Sequence, residues 1–340
     1  MDFFGLDIGS YKIKIVKLAK IGSQYRLLSL GNASSTSRGI LSDIESDLTN
    51  LTTIIKKLHQ ETKVNTKNVV CSLPQDQVFT QVITLPKLSE DELNSALKWE
   101  AERYVPIPLS EVTLTHQIIG QINEGGKEKI EVLLAAAPNR LIDRILTVLK
   151  TAGFNPISLE LEIMAVARSL IAPENPEVTM IIDLGAKATD IAVLEKGQII
   201  FVRSIATAGE ALTRAVANGL GLNINQAEAY KKAYGADPKK LEGKMMTSLM
   251  PIINVLVSEI EKIIQFFQLE KNKPINRVIL SGGTASLLEI SALLAKNLNV
   301  EIQIGDPFSQ VLKDDLVKKI PAQDIPLYAI ATGLSMKEIE

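Results

Sequence analysis

An apolar run that ends in Asp-x-Gly and returns as a second apolar strand occurs twice along the chain. In FGLDIGSYKIKIVKL the run reaches Asp7-Ile8-Gly9, turns, and comes back with Ile13 and Ile15 alternating with Lys12 and Lys14. That period of two belongs to a strand with one buried face. YRLLSLG adds a third strand. Far downstream the plan repeats as TMIIDLG, TDIAVLE, a turn at Lys196-Gly197, and QIIFVRSI. The two aspartates, Asp7 and Asp183, lie 176 residues apart. Each half of the chain is therefore predicted to open on a three-stranded meander with a carboxylate at its first turn.

Between the meanders the pattern changes. Leu41, Ile44, Leu48, Leu51, Ile55 and Leu58 recur at steps of three and four, which predicts one face of a helix. NVVCSLP then reads as a strand closed by Pro74. A different module follows at about residues 79–153. VFTQVITLP is a strand, and Ser89 with Glu92 forms a capping-box pattern for a helix that stops before Pro106. TLTHQII and KIEVLLAAA flank Gly125-Gly126 as a hairpin. Residues 139–152 form a helix with Leu141, Ile145 and Leu149 on one face and Gly153 as its cap. ISLELE and a helix through IMAVARSLI lead to PENPE, read as a linker. After the second meander come a mostly helical block from Gly209 to about Leu269, the strand RVILSGG, the helix LLEISALLAKNL and a last helix PLYAIATGLSM.

The bulk numbers narrow the class. A chain of 340 residues suggests two domains at about 100–200 residues each. With 46% apolar and 22% charged residues it is globular. The net charge of −2 gives no electrostatic case for nucleic acid. Cys71 is the single cysteine, in an apolar run, so it reads as a buried thiol with no intrachain disulfide, as suits a reducing compartment. His59 and His116 lack partners at zinc-ligand spacing. No run reaches the roughly 18–20 apolar residues of a membrane span, and no basic segment precedes the first strand.

The repeated hairpin has a chemical use. A tight turn after an apolar strand exposes backbone N–H groups, and glycine lets a phosphate approach them. A carboxylate at the strand end can hold a hydrated divalent cation. Two such hairpins across a cleft would clamp a polyphosphate from both sides. The Gly282-Gly283 turn before a helix offers a third backbone surface for a flat or anionic group. Its plain alternative is a tight strand-to-helix turn.

These three elements in this order resemble the phosphate-1, phosphate-2 and adenosine motifs of the actin-like ATPase superfamily. The module at about 79–153 narrows the branch. LPKLSEDELNSALKWEAERYVPIPLSEV and VLLAAAPNRLIDRILTVLKTAGFNPISLELE resemble the PilM family of type IV pilus assembly proteins, a relative of FtsA. The resemblance implies an α/β, duplicated ribonuclease H-like fold of two actin-like domains with an FtsA-type α+β insert subdomain. The first domain would cover 1–172 with its insert. The second would cover 177–324, with a helical subdomain at about 207–275, and 325–340 would form a helix returning to the first domain. FtsA proteins end in an amphipathic membrane-targeting helix, whereas SMKEIE shows no basic or aromatic face of that kind.

The resemblance also implies site residues. Asp7, Gly9, Ser10 and Tyr11 would line the first phosphate loop, with Lys14 reaching the phosphates. Asp183, Gly185 and Thr189 would serve the second loop, and Gly209 would open the helical block beside it. Glu228 and Lys231 in AEAYK would flank ribose and base, and Gly282 and Gly283 would face adenine. As an exposed pair three apart, Glu228 and Lys231 would otherwise contribute only about 0.2–0.5 kcal/mol. Glu162, with Glu160 as a substitute, would orient water as the catalytic carboxylate. Asp7 and Asp183 would hold magnesium through its bound water. The cofactors implied are ATP and Mg²⁺. The second loop, Gly185-Ala186-Lys187-Ala188, is glycine-poor beside those of active ATPases, and the first has Tyr11-Lys12 where small residues are usual, so hydrolysis is expected to be slow or absent.

The implied role is a cytoplasmic adaptor of type IV pilus assembly, peripheral to the inner membrane. It would bind the cytoplasmic N-terminal peptide of a PilN-like inner-membrane protein and couple to the assembly ATPases. Homodimers or filaments are compatible with it. Trp99, Glu100, Glu102, Arg103 and Tyr104 read as ordinary packing plus a solvated face. Two other readings stay open: an FtsA-like filament-forming division protein, and a small-molecule kinase of the same superfamily.

Overall fold

FGLDI is buried along its whole length and KIKIVKL from Ile13 to Leu18 on both faces, Lys14 and Lys17 included, so the first sheet is covered on both sides where one buried face was expected. The computed structural model describes residues 1–172, 175 and 177–339, with Glu124 by its backbone alone. Pro173, Glu174 and Pro176 of the expected linker lie outside the described residues. β1 (Phe4–Ile8), β2 (Lys12–Ile21) and β3 (Gln24–Ser34) form the antiparallel meander. α1 (Glu45–Glu61) leads to β4 (Asn68–Leu73). The insert contributes β5 (Phe79–Pro86), α2 (Glu90–Tyr104), β6 (Val112–Glu124) and β7 (Lys127–Pro138). α3 (Asn139–Thr151), β8 (Asn155–Leu161) and α4 (Glu162–Leu170) complete the half. The sheet order is β3-β2-β1-β4-β8, with β4 parallel to both β1 and β8.

The second half repeats that order. β9 (Thr179–Leu184), β10 (Thr189–Glu195) and β11 (Gln198–Ile205) form its meander. α5 (Gly209–Leu220), α6 (Ile224–Tyr234) and α7 (Lys244–Leu269) make the helical block, followed by β12 (Arg277–Ser281), α8 (Ile290–Leu298) and β13 (Glu301–Ile304). The sheet runs β11-β10-β9-β12-β13, strand for strand the order of the first. α9 (Asp315–Lys318) and α10 (Ala329–Ser335) close the chain.

Local chemistry sets the boundaries. The Ser89 and Glu92 capping box starts α2, and Gly125 and Gly126, both at positive φ, turn the β6–β7 hairpin. The first helix begins later than its apolar spacing predicts. The Ser42 hydroxyl donates to Asp47 (2.8 Å) and accepts the Ile44 N–H (3.2 Å), so Leu41 and Ile44 remain in the turn before it. Likewise Glu289 at φ +64° delays α8 past Leu287.

Packing places the insert. Leu93, Leu97 and Ala101 of α2 cover Ile83, Leu85, Ile130, Val132 and Leu134 of the small sheet, whose order is β5-β7-β6. α3, expected as part of that module, instead lays Leu141, Ile145, Val148 and Leu149 against Leu51 and Ile55 of α1 in the first core. The exposed face of α2 carries Trp99, 74% exposed. Between the two large sheets lie α4 and α10, buried through Ile163, Ala165, Val166, Ala329, Ile330 and Leu334. A Cβ on Gly333 would sit 1.8 Å from the Ala165 carbonyl oxygen, so the two helices touch backbone to backbone.

Candidate functional site

The two meanders turn their first loops toward one another, and their charged residues converge. Asp7 is fully buried on β1, directly opposite Lys14 on β2, and the two form an ion pair. Ser72, on the parallel neighbour β4, donates to Asp7 Oδ1 at 3.3 Å. Gly9 is required by space: a Cβ there would lie 2.7 Å from the Lys12 carbonyl oxygen and 2.9 Å from Lys14 Nζ.

In the second meander Asp183 on β9 faces Asp190 on β10 in the same register. Asp190 therefore occupies the position that Lys14 holds in the first. Both side chains are buried, and Asp183 Oδ1 and Asp190 Oδ1 accept no hydrogen bond. Burial pushes the Asp183 carboxyl up to about 6, against the pull of Ser281 and Lys14. Burial pushes Asp190 up to about 7, with Asp183 adding to the rise and Ser204 opposing it. Glu162, at the first residue of α4, accepts the Gln75 N–H at 3.2 Å. Its carboxyl is held well above the usual range by burial and by the charges of Asp7, Asp190 and Asp183. Four carboxylates thus share one cleft, and Lys14 is ion-paired to Asp7 among them.

Backbone closes the other side. The Gly185 N–H donates to the Ala188 carbonyl (3.1 Å), and the Gly185 carbonyl accepts from Gly209 N–H (3.2 Å) and Thr284 Oγ1 (3.0 Å). Gly282 has φ +83°, and a Cβ there would meet the Leu184 carbonyl oxygen at 2.5 Å. Lys231 is buried and donates to the Gly209 carbonyl (2.9 Å) and Thr213 Oγ1 (2.8 Å) while pairing with Glu228 at 2.7 Å. That pair is an interior network at the start of α5, far from the weak surface pair its spacing allowed.

Asp7, Lys14, Glu162 and Asp183 thus converge from first-loop, crossover and second-loop positions, and Gly185, Gly209, Gly283, Glu228 and Lys231 lie on the facing side. Thr189 is fully buried, and its hydroxyl donates to the Thr207 carbonyl at 2.7 Å. Glu160 points elsewhere: it is held by Arg168 (2.5 and 2.8 Å) and Lys337 (3.1 Å), so only Glu162 faces the cleft. Sequence reasoning missed Asp190, Ser72, Gln75 and Thr213. For Asp190 the signal was present, since the interval from 183 to 190 equals that from 7 to 14. Among the described residues no group of three or more His, Cys, Asp or Glu is arranged to ligate a metal directly. No helix among them is long and apolar enough to cross a membrane.

Known proteins carry the same architecture. A family model described as type IV pilus assembly protein PilM matches residues 5–339. A solved PilM–PilN type IV pilus biogenesis complex is similar at a TM-score of 0.85 and 26% identity, over 99% of this chain and 98% of that one. MreB5 of Spiroplasma citri bound to AMPPNP is similar at a TM-score of 0.55 and 14% identity, over 98% and 95% of the two chains. The cell division protein FtsA of Enterococcus hirae is 21% identical over 364 residues, 94% of this chain and 81% of its own. The fold is the actin-like one that the repeated hairpins and the insert implied.

Proposed function

The chain belongs to the PilM family of type IV pilus assembly proteins, and on that premise we propose that it is an ATP-binding adaptor of a pilus assembly machine. It holds the cytoplasmic N-terminal peptide of a PilN-like inner-membrane protein, which keeps it at the inner face of that membrane and within reach of the assembly ATPases. The similarity to a PilM that was solved with PilN supports the partner.

One observation carries the nucleotide half of this reading: buried Asp183 and Asp190 each leave an oxygen without a donor, facing Asp7 and Lys14 across the cleft. Uncompensated buried carboxylates are costly unless a cation or proton joins them. Asp7, Asp183 and Asp190 suit a hydrated Mg²⁺ held through its water, and Gly9, Gly185 and Gly282 permit the tight turns of the loops, since a Cβ on any of them would meet the chain's own carbonyl oxygens. ATP supplies that magnesium with the phosphates that Lys14 and the loop N–H groups would meet. Tyr11, Ser10 and Gly9 then lie on the first-loop side, with Glu228, Lys231 and Gly283 on the nucleoside side. Turnover is slow in this reading. Tyr11-Lys12 in the first loop and Ala186-Lys187-Ala188 in the second carry Cβ atoms that hold the backbone away from a phosphate.

The test is calorimetric titration of the apo protein with ATP and Mg²⁺, beside Asp183→Ala. Binding that the substitution weakens at least tenfold is the expected result. A folded wild type that gives no heat with MgATP removes the nucleotide from the proposal and leaves a passive peptide-binding adaptor.

For the peptide half, the insert's strands and α3 from Leu141 to Leu149 are rich in aliphatic residues, and a peptide can lay its apolar side chains into a groove of that kind. The site proposed is the cleft between the insert and the first unit, where α3 and the small sheet meet the first core.

A further inference from the structure

Tyr11 carries a large, half-exposed ring at the tip of the first loop. Its backbone is fixed, because the Ser35 N–H donates to the Tyr11 carbonyl at 2.9 Å. The side chain reaches out of the first unit to Lys232 in the last turn of α6. Lys232 Nζ donates to Tyr11 Oη at 3.1 Å and lies 4.8 Å from the ring centroid, so the ammonium is held at the hydroxyl end of the ring within cation–π range. Lys232 is itself oriented by Glu228, 3.2 Å away, the carboxylate that also fixes Lys231 in the interior network. One side of this contact is thus two residues from Gly9, and the other is one residue from Lys231. It joins the lip of the phosphate-1 loop to the lip of the helical block, across the mouth of the cleft.

We propose that Tyr11 and Lys232 form a clasp that holds the two lips of the cleft together and gates the exchange of its ligand. The clasp rests on the nucleotide reading above only for the identity of that ligand. Both partners are solvent-exposed and joined by one hydrogen bond and one cation–π contact, so the clasp is weak enough to open thermally. Its release lets both lips separate, and its closure slows arrival and departure alike. A direct ligand contact would behave differently, changing departure more than arrival.

Two measurements on the full chain test this. Spin labels on Ser37→Cys, in the loop beside the first lip, and Asn225→Cys, on α6, report the width of the mouth by pulsed electron resonance; Cys71 is buried and stays unlabelled. In the nucleotide-free protein a narrow distance distribution is expected, which Tyr11→Ala and Lys232→Gln each broaden toward longer distances and Tyr11→Phe broadens less. Stopped-flow mixing with a fluorescent ATP analogue should show association and dissociation both about 3–10-fold faster in Tyr11→Ala, the scale of one exposed cation–π contact with a hydrogen bond. Superimposable distance distributions in wild type and Tyr11→Ala overturn the clasp, as does an unchanged association rate. If the distances shift but wild type takes up no analogue, the clasp is supported and the nucleotide reading fails.

Discussion

Asp183 and Asp190 stand opposite each other on adjacent strands, at a separation where two like charges inside a protein are costly. Both carboxyls are raised, to about 6 and about 7 from an ordinary 3.8. The folded, ligand-free protein therefore binds protons that the unfolded chain has already released. For a group raised in this way the stabilisation is complete below the unfolded value and is lost as pH rises through the folded one. The nucleotide-free protein should lose stability between about pH 4 and pH 7. Shifts of this size correspond to about 3–4 kcal/mol for each group taken alone, and less in sum because the two titrate together. Asp190→Asn removes one of the charges without changing shape. It should raise the melting temperature of the apo protein at pH 8, by the equivalent of about 1–3 kcal/mol, and flatten its pH dependence. The same substitution should reduce the stabilisation that MgATP gives. Thermal melts from pH 4 to 8, with and without MgATP, measure all three. A variant as pH-dependent as wild type would show that the strain resides elsewhere.

At the scale of elements, the seam between the halves rests on two helices in backbone contact. Gly333 on α10 abuts Ala165 on α4, and Gly5 on β1 abuts the Ala331 carbonyl, where a Cβ would lie at 2.3 Å. Close-packed interiors tolerate added methyl groups poorly. Gly333→Ala should cost about 2–4 kcal/mol and lower the melting temperature by several degrees. An unchanged melt would mean that α4 and α10 separate freely. None of this was legible beforehand, because the glycine's neighbour is 168 residues away in sequence. The hairpins were legible, since Ile13, Ile15 and the Asp-x-Gly turns carry their own period and turn chemistry. The Ser89 cap and the Gly125-Gly126 turn were legible for the same reason: each acts over four residues or fewer. Asp190 escaped because its pairing with Asp183 is set by the strand register beyond the turn, and TDIAVLE by itself shows only an acid at the start of an apolar strand. Ser72, Gln75 and Thr213 escaped because their partners, 65, 87 and 15 residues distant, are set by tertiary packing. β13 escaped because EIQI is short and largely exposed, with no apolar period to mark it.

For the whole molecule, the cleft and the insert are built on one continuous frame. β4 carries Ser72 to the buried Asp7, and the chain then passes through Gln75, bonded to Glu162, directly into the insert's first strand. The edge strand β11 of the second unit also packs near β5 of the insert, where Val82 and Leu133 face Phe201 and Phe267 across a cavity of about 290 Å³. A change in the angle between the halves would therefore reach the insert along two routes: through β4 and Gln75, and across the β11–β5 contact. If ATP favours one arrangement of the halves and the peptide binds that arrangement with a different affinity, the two sites are coupled. The coupling is then reciprocal: the factor by which MgATP changes peptide affinity equals the factor by which peptide changes ATP affinity. Typical couplings of this kind are about 5–150-fold. Titrating a synthetic PilN-like N-terminal peptide into the protein with and without MgATP, and MgATP with and without peptide, gives both factors independently. Equal factors above about fivefold are expected from an adaptor that reads nucleotide state. Factors of one in both directions would separate the two sites energetically, and the duplicated cleft would then act as a fixed scaffold under the insert.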